Sequence, residues 1–267
     1  MPIENVSASL GSLFTLNKYW FNKLKILRKI EDAAGLVTKS CLTIGNFDGC
    51  HLGHQKLLGL TLSHKERISG ESIAITFIPN PKHYFKAPER NTSLFTPGMK
   101  RDYFSSSGFD YLIEQPFDES FSQVTHREFL ELIQKLNPYS ITVGDNFQFG
   151  YLRQGNCLVL SEFCNKEGIV LDTVKQMKHK RHGISSSRIR ELLLKGDVQQ
   201  ASELLGRPHT IVGMVSDGRK EGRKLGFPTA NLRNLSQLVP LNGVYCGYAM
   251  TNDSCCLWMN RLVPLML

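Results

Sequence analysis

Apolar and polar positions change their spacing several times along the chain, and the changes mark out its elements. Short, densely apolar runs at Cys41–Ile44, Ser72–Ile78, Tyr111–Glu114, Ser140–Val143 and Ile169–Val174 read as buried strands. Between them, Gly53–Arg67, Thr125–Lys135 and Cys157–Lys166 carry helical spacing. Thr125 followed by Glu128 is a capping-box pattern that marks where the second of these helices begins. Strands alternating with helices predict βαβ units, hence an α/β domain on a parallel sheet whose ligands bind at the carboxyl ends of the strands. After Gly183 the pattern shifts. Ser185–Lys195 and Asp197–Leu205 read as two short helices, broken by Gly196 and closed by Gly206. Beyond Arg207-Pro208 helical spacing stops, and Thr210–Val215 and Gly243–Met250 read as strands around a Gly- and Arg-rich loop. The chain therefore divides into a domain at 1–184, a helical connector at 185–208 and a small β-rich domain at 209–267.

Composition narrows the class. The 267 residues are 41% hydrophobic and 21% charged, with no run approaching the length of a membrane span. The opening residues around Glu4 have neither a basic nor an apolar leader region, so no secretory signal is expected. Seven cysteines without Cys-x-x-Cys spacing point to reduced thiols and a cytoplasmic location rather than a disulfide framework or a thiolate zinc site. The net charge of +8 fits nucleic acid or small anions. Nucleic acid is disfavoured, because no basic run is interleaved with aromatic side chains, and even Lys178–His182 reads as a solvated loop. Small-molecule partners are expected, with no membrane and no nucleic acid, and the oligomeric state is left open.

Chemistry concentrates at Gly45-Asn46-Phe47-Asp48-Gly49-Cys50-His51-Leu52-Gly53-His54, where a strand gives way to a glycine-punctuated turn and a helix start. Such a turn presents backbone N–H groups, and the helix N-terminus adds partial positive charge, so an anion fits there. His51 and His54, three apart, share one side of the first helical turn. Two imidazole donors suit a phosphoryl group whose charge grows in the transition state. A metal pair or two structural histidines compete with this reading, but neither a third ligand nor His-Glu-x-x-His spacing is present. Near residue 220, Gly213-Met214-Val215-Ser216-Asp217-Gly218 leads into Gly222-Arg223-Lys224-Leu225-Gly226-Phe227-Pro228-Thr229-Ala230-Asn231. That is not a Walker loop, yet its glycines and basic residues are able to wrap a phosphate tail; a plain hairpin loop is the competing reading.

Taken together, these residues resemble the HxGH nucleotidylyltransferase superfamily, and most closely the bacterial bifunctional riboflavin kinase/FAD synthetases. The resemblance rests on ordered motifs: the Gly45–His54 stretch, Thr76–Pro81, Phe95-Thr96-Pro97 with Lys100, Pro116-Phe117-Asp118, Val143–Gly150 and Ile184–Arg190. Gly222–Asn231 with Pro240-Leu241-Asn242-Gly243-Val244-Tyr245 resembles the kinase module. The resemblance implies a Rossmann-like domain that transfers AMP from ATP to FMN, followed by a partial antiparallel β-barrel. It implies ATP, Mg2+ and the flavins FMN, FAD and riboflavin as cofactor and substrates. By the same resemblance His51, His54 and Arg190 are catalytic, and Gly45, Asn46, Phe47, Asp48, Gly49, Ser185, Ser186 and Ser187 contact ATP phosphates. Ser185, Ser186 and Arg190 would hold the leaving pyrophosphate. Asn80, Asn146 and Phe147 would contact flavin or Mg2+, with Asn146 standing where the family has Asp. Gly213, Gly222, Arg223, Gly226, Thr229 and Asn231 would serve the kinase phosphates, Thr229 and Asn231 also Mg2+. No Asp or Glu follows Asp253, and the tail Cys255–Leu267 shows no traceable likeness, so impaired kinase activity is expected. Another HxGH nucleotidylyltransferase, or a flavin- or nucleotide-binding protein without turnover, are the alternatives.

Overall fold

The structure, a computed structural model, describes residues 24–85, 92–216, 231–249 and 259–266. In chain order its elements are β1 (Lys25–Leu27), β2 (Ser40–Ile44), α1 (Leu52–Ile68), β3 (Glu71–Ile78), α2 (Pro81–Phe85), α3 (Pro97–Ser106), β4 (Tyr111–Pro116), α4 (Glu119–Ser122) and α5 (His126–Gln134). There follow β5 (Pro138–Gly144), the small pair β6 (Gln148–Phe149) and β7 (Gly155–Asn156), α6 (Cys157–Glu167), β8 (Val170–Val174) and the hairpin β9 (Lys178–His179) with β10 (His182–Gly183). The connector holds α7 (Ser186–Leu194) and α8 (Val198–Leu205), and the last part β11 (Met214–Ser216), β12 (Asn231–Arg233), β13 (Val244–Ala249) and β14 (Met259–Met266).

Six strands form one parallel sheet in the order β1-β4-β3-β2-β5-β8. Every residue of β2 is buried, as a central strand covered on both faces must be. On one face Leu42, Ile44, Ile73, Ile75, Ile113, Ile141 and Val143 pack with Phe129 and Ile133 of α5 and Leu160 and Cys164 of α6. On the other, Ala74 and Leu112 pack with Leu57 and Leu58 of α1 and Phe104 of α3. The chain runs outward from β2 through β3 to β4, then returns to β5 on the other side of β2. The crevice at the carboxyl end of β2 is therefore the topological switch point, where open α/β sheets bind ligands.

The predicted strands and helices of the first domain are all present, with ends that differ by one or two residues. Thr125 and Glu128 form the predicted capping box. Several short elements have no counterpart in the sequence pattern, β1 and α3 among them. β1 is only three residues long, and α3 buries just Lys100 and Phe104, so neither shows a clear apolar period. The strand predicted at Thr210–Val215 begins only at Met214. The tail without traceable likeness supplies β14, which pairs antiparallel with β13. A third apolar cluster joins Leu94, Ile184, Ile189, Leu193, Leu204 and Leu205 with Leu238, so the connector helices are sandwiched between the first domain and the β-rich segment.

Glu114 of β4 is fully enclosed and answers two cations. Arg101 of α3 donates to both its oxygens at 2.8 and 2.7 Å, and Arg28 to one at 3.1 Å. Glu114→Gln removes the charge from three hydrogen bonds and is expected to cost about 1 to 2 kcal/mol, because water reaches Arg101 and Arg28 and offsets part of the loss. Urea unfolding followed by circular dichroism checks this; an unchanged midpoint contradicts it.

Candidate active site

The loop between β2 and α1 lies at the switch point and is built against its own backbone preference. Phe47, Gly49 and Cys50 adopt φ of 47°, 77° and 36°, in or near the left-handed region that costs side-chain-bearing residues free energy. Phe47 keeps that conformation because its ring is completely buried, edge-on to Phe104 and to His54 at 5.4 Å each. Gly49 has a second constraint besides its φ: a Cβ there would lie 2.8 Å from Leu94.

Asp48 ties the loop down. Its Oδ1 accepts from the backbone N–H of Leu94 at 2.9 Å and of Phe95 at 3.0 Å. Its Oδ2 accepts from Nη2 of Arg190 on α7, and Arg190 Nε donates to the Thr92 carbonyl at 2.6 Å. Ser186 Oγ donates to the Asp48 carbonyl at 2.8 Å. Three chain segments distant in sequence thus meet at one carboxylate.

His51 is the N-cap of α1, and its Nδ1 accepts the His54 backbone N–H at 3.3 Å. Hydrogen-bond economy then assigns the ring proton to Nε2, leaving that N–H as a free donor. The His51 and His54 rings stack with centroids 3.7 Å apart and planes 14° from parallel. Gly53 makes room, since a Cβ there would sit 3.2 Å from the His51 ring. Two stacked imidazoles in a dry site resist charging. Burial, opposed by Asp48 and assisted by Arg207 and Arg190, lowers the His51 pKa to about 4. Burial and the neighbouring His51 hold His54 well below its ordinary value. Lys100 of α3 supplies the buried positive charge: its ammonium donates to the Asn46 carbonyl at 2.8 Å and to Thr76 Oγ1 at 2.9 Å. Burial pulls its pKa down and Asp48 partly restores it. Asn46 Oδ1 and His54 Nδ1 are buried with no hydrogen-bond partner among the described residues.

Other residues predicted from sequence fall into different roles. Ser185 caps α7 by accepting from the Arg188 N–H, Ser186 is spent on Asp48, and Ser187 is exposed. Ser185, as the cap acceptor, keeps its O–H to donate to an oxyanion, whereas the Ser186 O–H is given to the Asp48 carbonyl. Asn80 Oδ1 accepts from the Lys82 N–H and starts α2. Gly45 lets the Phe47 ring approach, since a Cβ there would lie 3.1 Å from it. Asn146 is exposed, while Phe147 stacks on Phe149 at 5.4 Å. An aromatic wall at the strand ends was not foreseen: Phe117 contacts Phe77, Tyr84, Phe85 and Phe121, with ring centroids 5.4 to 6.2 Å away. Gly213 packs under Leu235, and Asn231 opens β12 opposite Ser216. Gly222, Arg223, Gly226 and Thr229 lie outside the described residues.

A parallel sheet with paired histidines on a helix N-terminus at its switch point is the arrangement expected from the resemblance to nucleotidylyltransferases. Comparison with known proteins specifies which kind. Residues 35–188 match the FAD synthetase family and residues 205–263 the riboflavin kinase family, the second match running into the tail where sequence alone traced no likeness. Bifunctional riboflavin kinase/FMN adenylyltransferases are similar to this chain. The protein of Buchnera aphidicola subsp. Schizaphis graminum is 38% identical over 83% of the chain and 72% of its own length. That of Haemophilus influenzae is 34% identical over 83% and 73%, and that of Escherichia coli K12 35% identical over 83% and 72%. A crystal structure of a macrolide-efflux protein from Streptococcus pneumoniae shares the fold, with a TM-score of 0.74 and 27% identity over 84% of this chain and 73% of that one. The chain belongs to the bifunctional riboflavin kinase/FMN adenylyltransferase family.

The buried neutral imidazoles carry a stability cost in acid. A histidine whose folded pKa lies below its unfolded value stabilises the fold fully above about 6.5 and progressively less as pH falls toward about 4, at up to about 1.4 kcal/mol per pH unit for His51 alone. Urea midpoints are expected to fall between pH 6.5 and 4 in the parent and less steeply in His51→Gln. Parallel slopes contradict the assignment.

Proposed function

We propose that this chain makes FAD at the His51/His54 site by transferring AMP from ATP to FMN. The observation that carries the reading is the stacked, uncharged imidazole pair on the N-terminus of α1 at the switch point. The FMN phosphate oxygen attacks the α-phosphorus of ATP; that P–O bond forms as the α–β bridge bond breaks, and pyrophosphate leaves. Such transfers need positioning and charge stabilisation more than a protein nucleophile. Neutral His51 donates its Nε2–H to non-bridging phosphate oxygens without needing a proton first. The helix dipole and Lys100 add positive potential. Arg190, whose Nε and Nη2 are held by Thr92 and Asp48, keeps Nη1 as the donor assigned to the leaving pyrophosphate.

Mg2+ enters this account as part of the ATP substrate. Among the described residues no group of three or more His, Cys, Asp or Glu gathers into a metal cage, and Asp48 is already occupied by three donors. That donor set fits an ion carried by phosphates and water rather than by a protein cage. The flavin ring is assigned to the aromatic wall of Phe77, Tyr84 and Phe117, where flat π-faces stack favourably.

We take residues 1–184 as the adenylyltransferase domain, 185–208 as connector and 209–267 as the kinase-like domain, in a cytoplasmic enzyme. Among the described residues no helix is long and apolar enough to cross a membrane.

His51→Ala is expected to lower kcat for FAD formation from FMN, ATP and Mg2+ by about 100- to 1000-fold, with KM for FMN changed less than about threefold. Chromatographic detection of FAD and pyrophosphate measures it. A change confined to FMN affinity removes the catalytic role. A folded parent that binds FMN but forms no FAD supports a binding protein instead. Riboflavin in place of FMN reads the kinase, and FMN formation overturns the expectation that kinase activity is impaired.

A further inference from the structure

Arg207, just past α8, is not explained by the chemistry above, yet it reaches the backbone of the phosphate loop. Its Nη2 donates to the Gly49 carbonyl at 2.6 Å, and its Nη1 to the carbonyls of Cys50 and Leu205 at 3.2 Å each. The guanidinium carbon lies 4.8 Å from the Phe95 ring centre and 5.1 Å from that of Tyr103. Among the described residues no carboxylate pairs with it. A desolvated cation held only by carbonyls and aromatic faces is costly to install. Gln55 reinforces it, donating from Nε2 to the Cys50 carbonyl at 2.9 Å and to the Leu205 carbonyl at 2.8 Å.

The geometry has a consequence at His51. A trans peptide sets its C=O and the following N–H on opposite sides. With the Cys50 carbonyl drawn toward the connector by two donors, the His51 N–H points the other way, toward the open side of the loop. The same clamp holds Cys50 at its strained φ of 36°.

We propose that Arg207 is a positioning residue for adenylyl transfer, fixing the Gly49–Cys50–His51 backbone from the connector so that the His51 amide and imidazole face the phosphates. The role rests on the adenylyl-transfer reading of the site. It also makes the connector part of the catalytic unit rather than a spacer. The charge contributes separately. Asp48 from the loop raises the His51 pKa, while Arg207 and Arg190 from the connector lower it; His54 on α1 and Lys100 on α3 complete the groups around the pair. Arg207 therefore helps keep His51 neutral.

The test uses the full chain with Arg207→Met, Arg207→Lys and Gln55→Leu, measuring kcat and KM for FAD formation across pH, with thermal unfolding in parallel. Arg207→Met is expected to lose about 30-fold or more in kcat, with KM values within about threefold, since small misplacements of a reacting group are costly. Its acid limb of kcat moves to higher pH. Arg207→Lys keeps the charge and the parent's limb, but recovers only part of the rate, lacking the planar fork. Gln55→Leu loses about fivefold, the worth of its hydrogen bond to the Cys50 carbonyl, without moving the limb. A folded Arg207→Met with kcat within threefold of the parent, or an unmoved limb, overturns the proposal. If Arg207→Met does not fold, an unchanged kcat in Gln55→Leu overturns it. A parent that forms no FAD defeats the adenylyl-transfer reading itself, whereas an active parent with silent variants defeats the positioning role alone.

Discussion

The Asp48–Arg190 ion pair is the constraint on which the rest of this site depends. The left-handed loop, the segment at Leu94–Phe95 and the connector helix share apolar packing through Leu94, Ile189 and Leu205, but that packing fixes no polar register. One carboxylate joins them, taking two backbone N–H groups from Leu94 and Phe95 and a guanidinium from α7. Because the pair is largely dry, removing either partner leaves an uncompensated charge, so the knot holds as a unit or fails as a unit. The loop's unfavourable φ values persist because the knot and the buried Phe47 ring over-determine them.

Charge is divided in the same site by burial. The imidazoles, closest to the phosphate position, are kept neutral and serve as donors. Fixed cations surround them: Lys100 on the Asn46 carbonyl, Arg207 on the Gly49 carbonyl and Arg190 on Asp48. Oriented N–H groups and held charges of this kind need little reorganisation when negative charge develops. The connector supplies two of those cations. It also packs Leu238 of the β-rich segment, whose backbone N–H donates to the Ser93 carbonyl beside the residues that hold Asp48. The two family domains are therefore joined through the walls of the adenylyltransferase site.

The parallel sheet and the Gly45–His54 stretch were legible because their signals are local: short apolar strands, helical spacing, a capping box and glycines beside histidines. α3 was missed because it buries only two side chains, although Thr96 before Pro97 is a helix-start signature that marks it. The partnerships were not legible. Asp48 and Arg190 stand 142 residues apart, and Arg207 and Gly49 158 apart, so only the folded topology brings them together. Ser185 and Ser186 read as phosphate ligands by motif, and their structural uses, one as a helix cap and the other tying down the loop, were not legible beside that reading.

Asp48 and Arg190 act as one unit, and a double-mutant cycle measures their coupling directly. kcat for FAD formation is compared in the parent, Asp48→Asn, Arg190→Met and the double variant. If the pair assembles the site, either single substitution costs nearly as much as both, and the coupling free energy is about 2 kcal/mol or more. Losses that simply add would contradict this, placing the two side chains in separate roles.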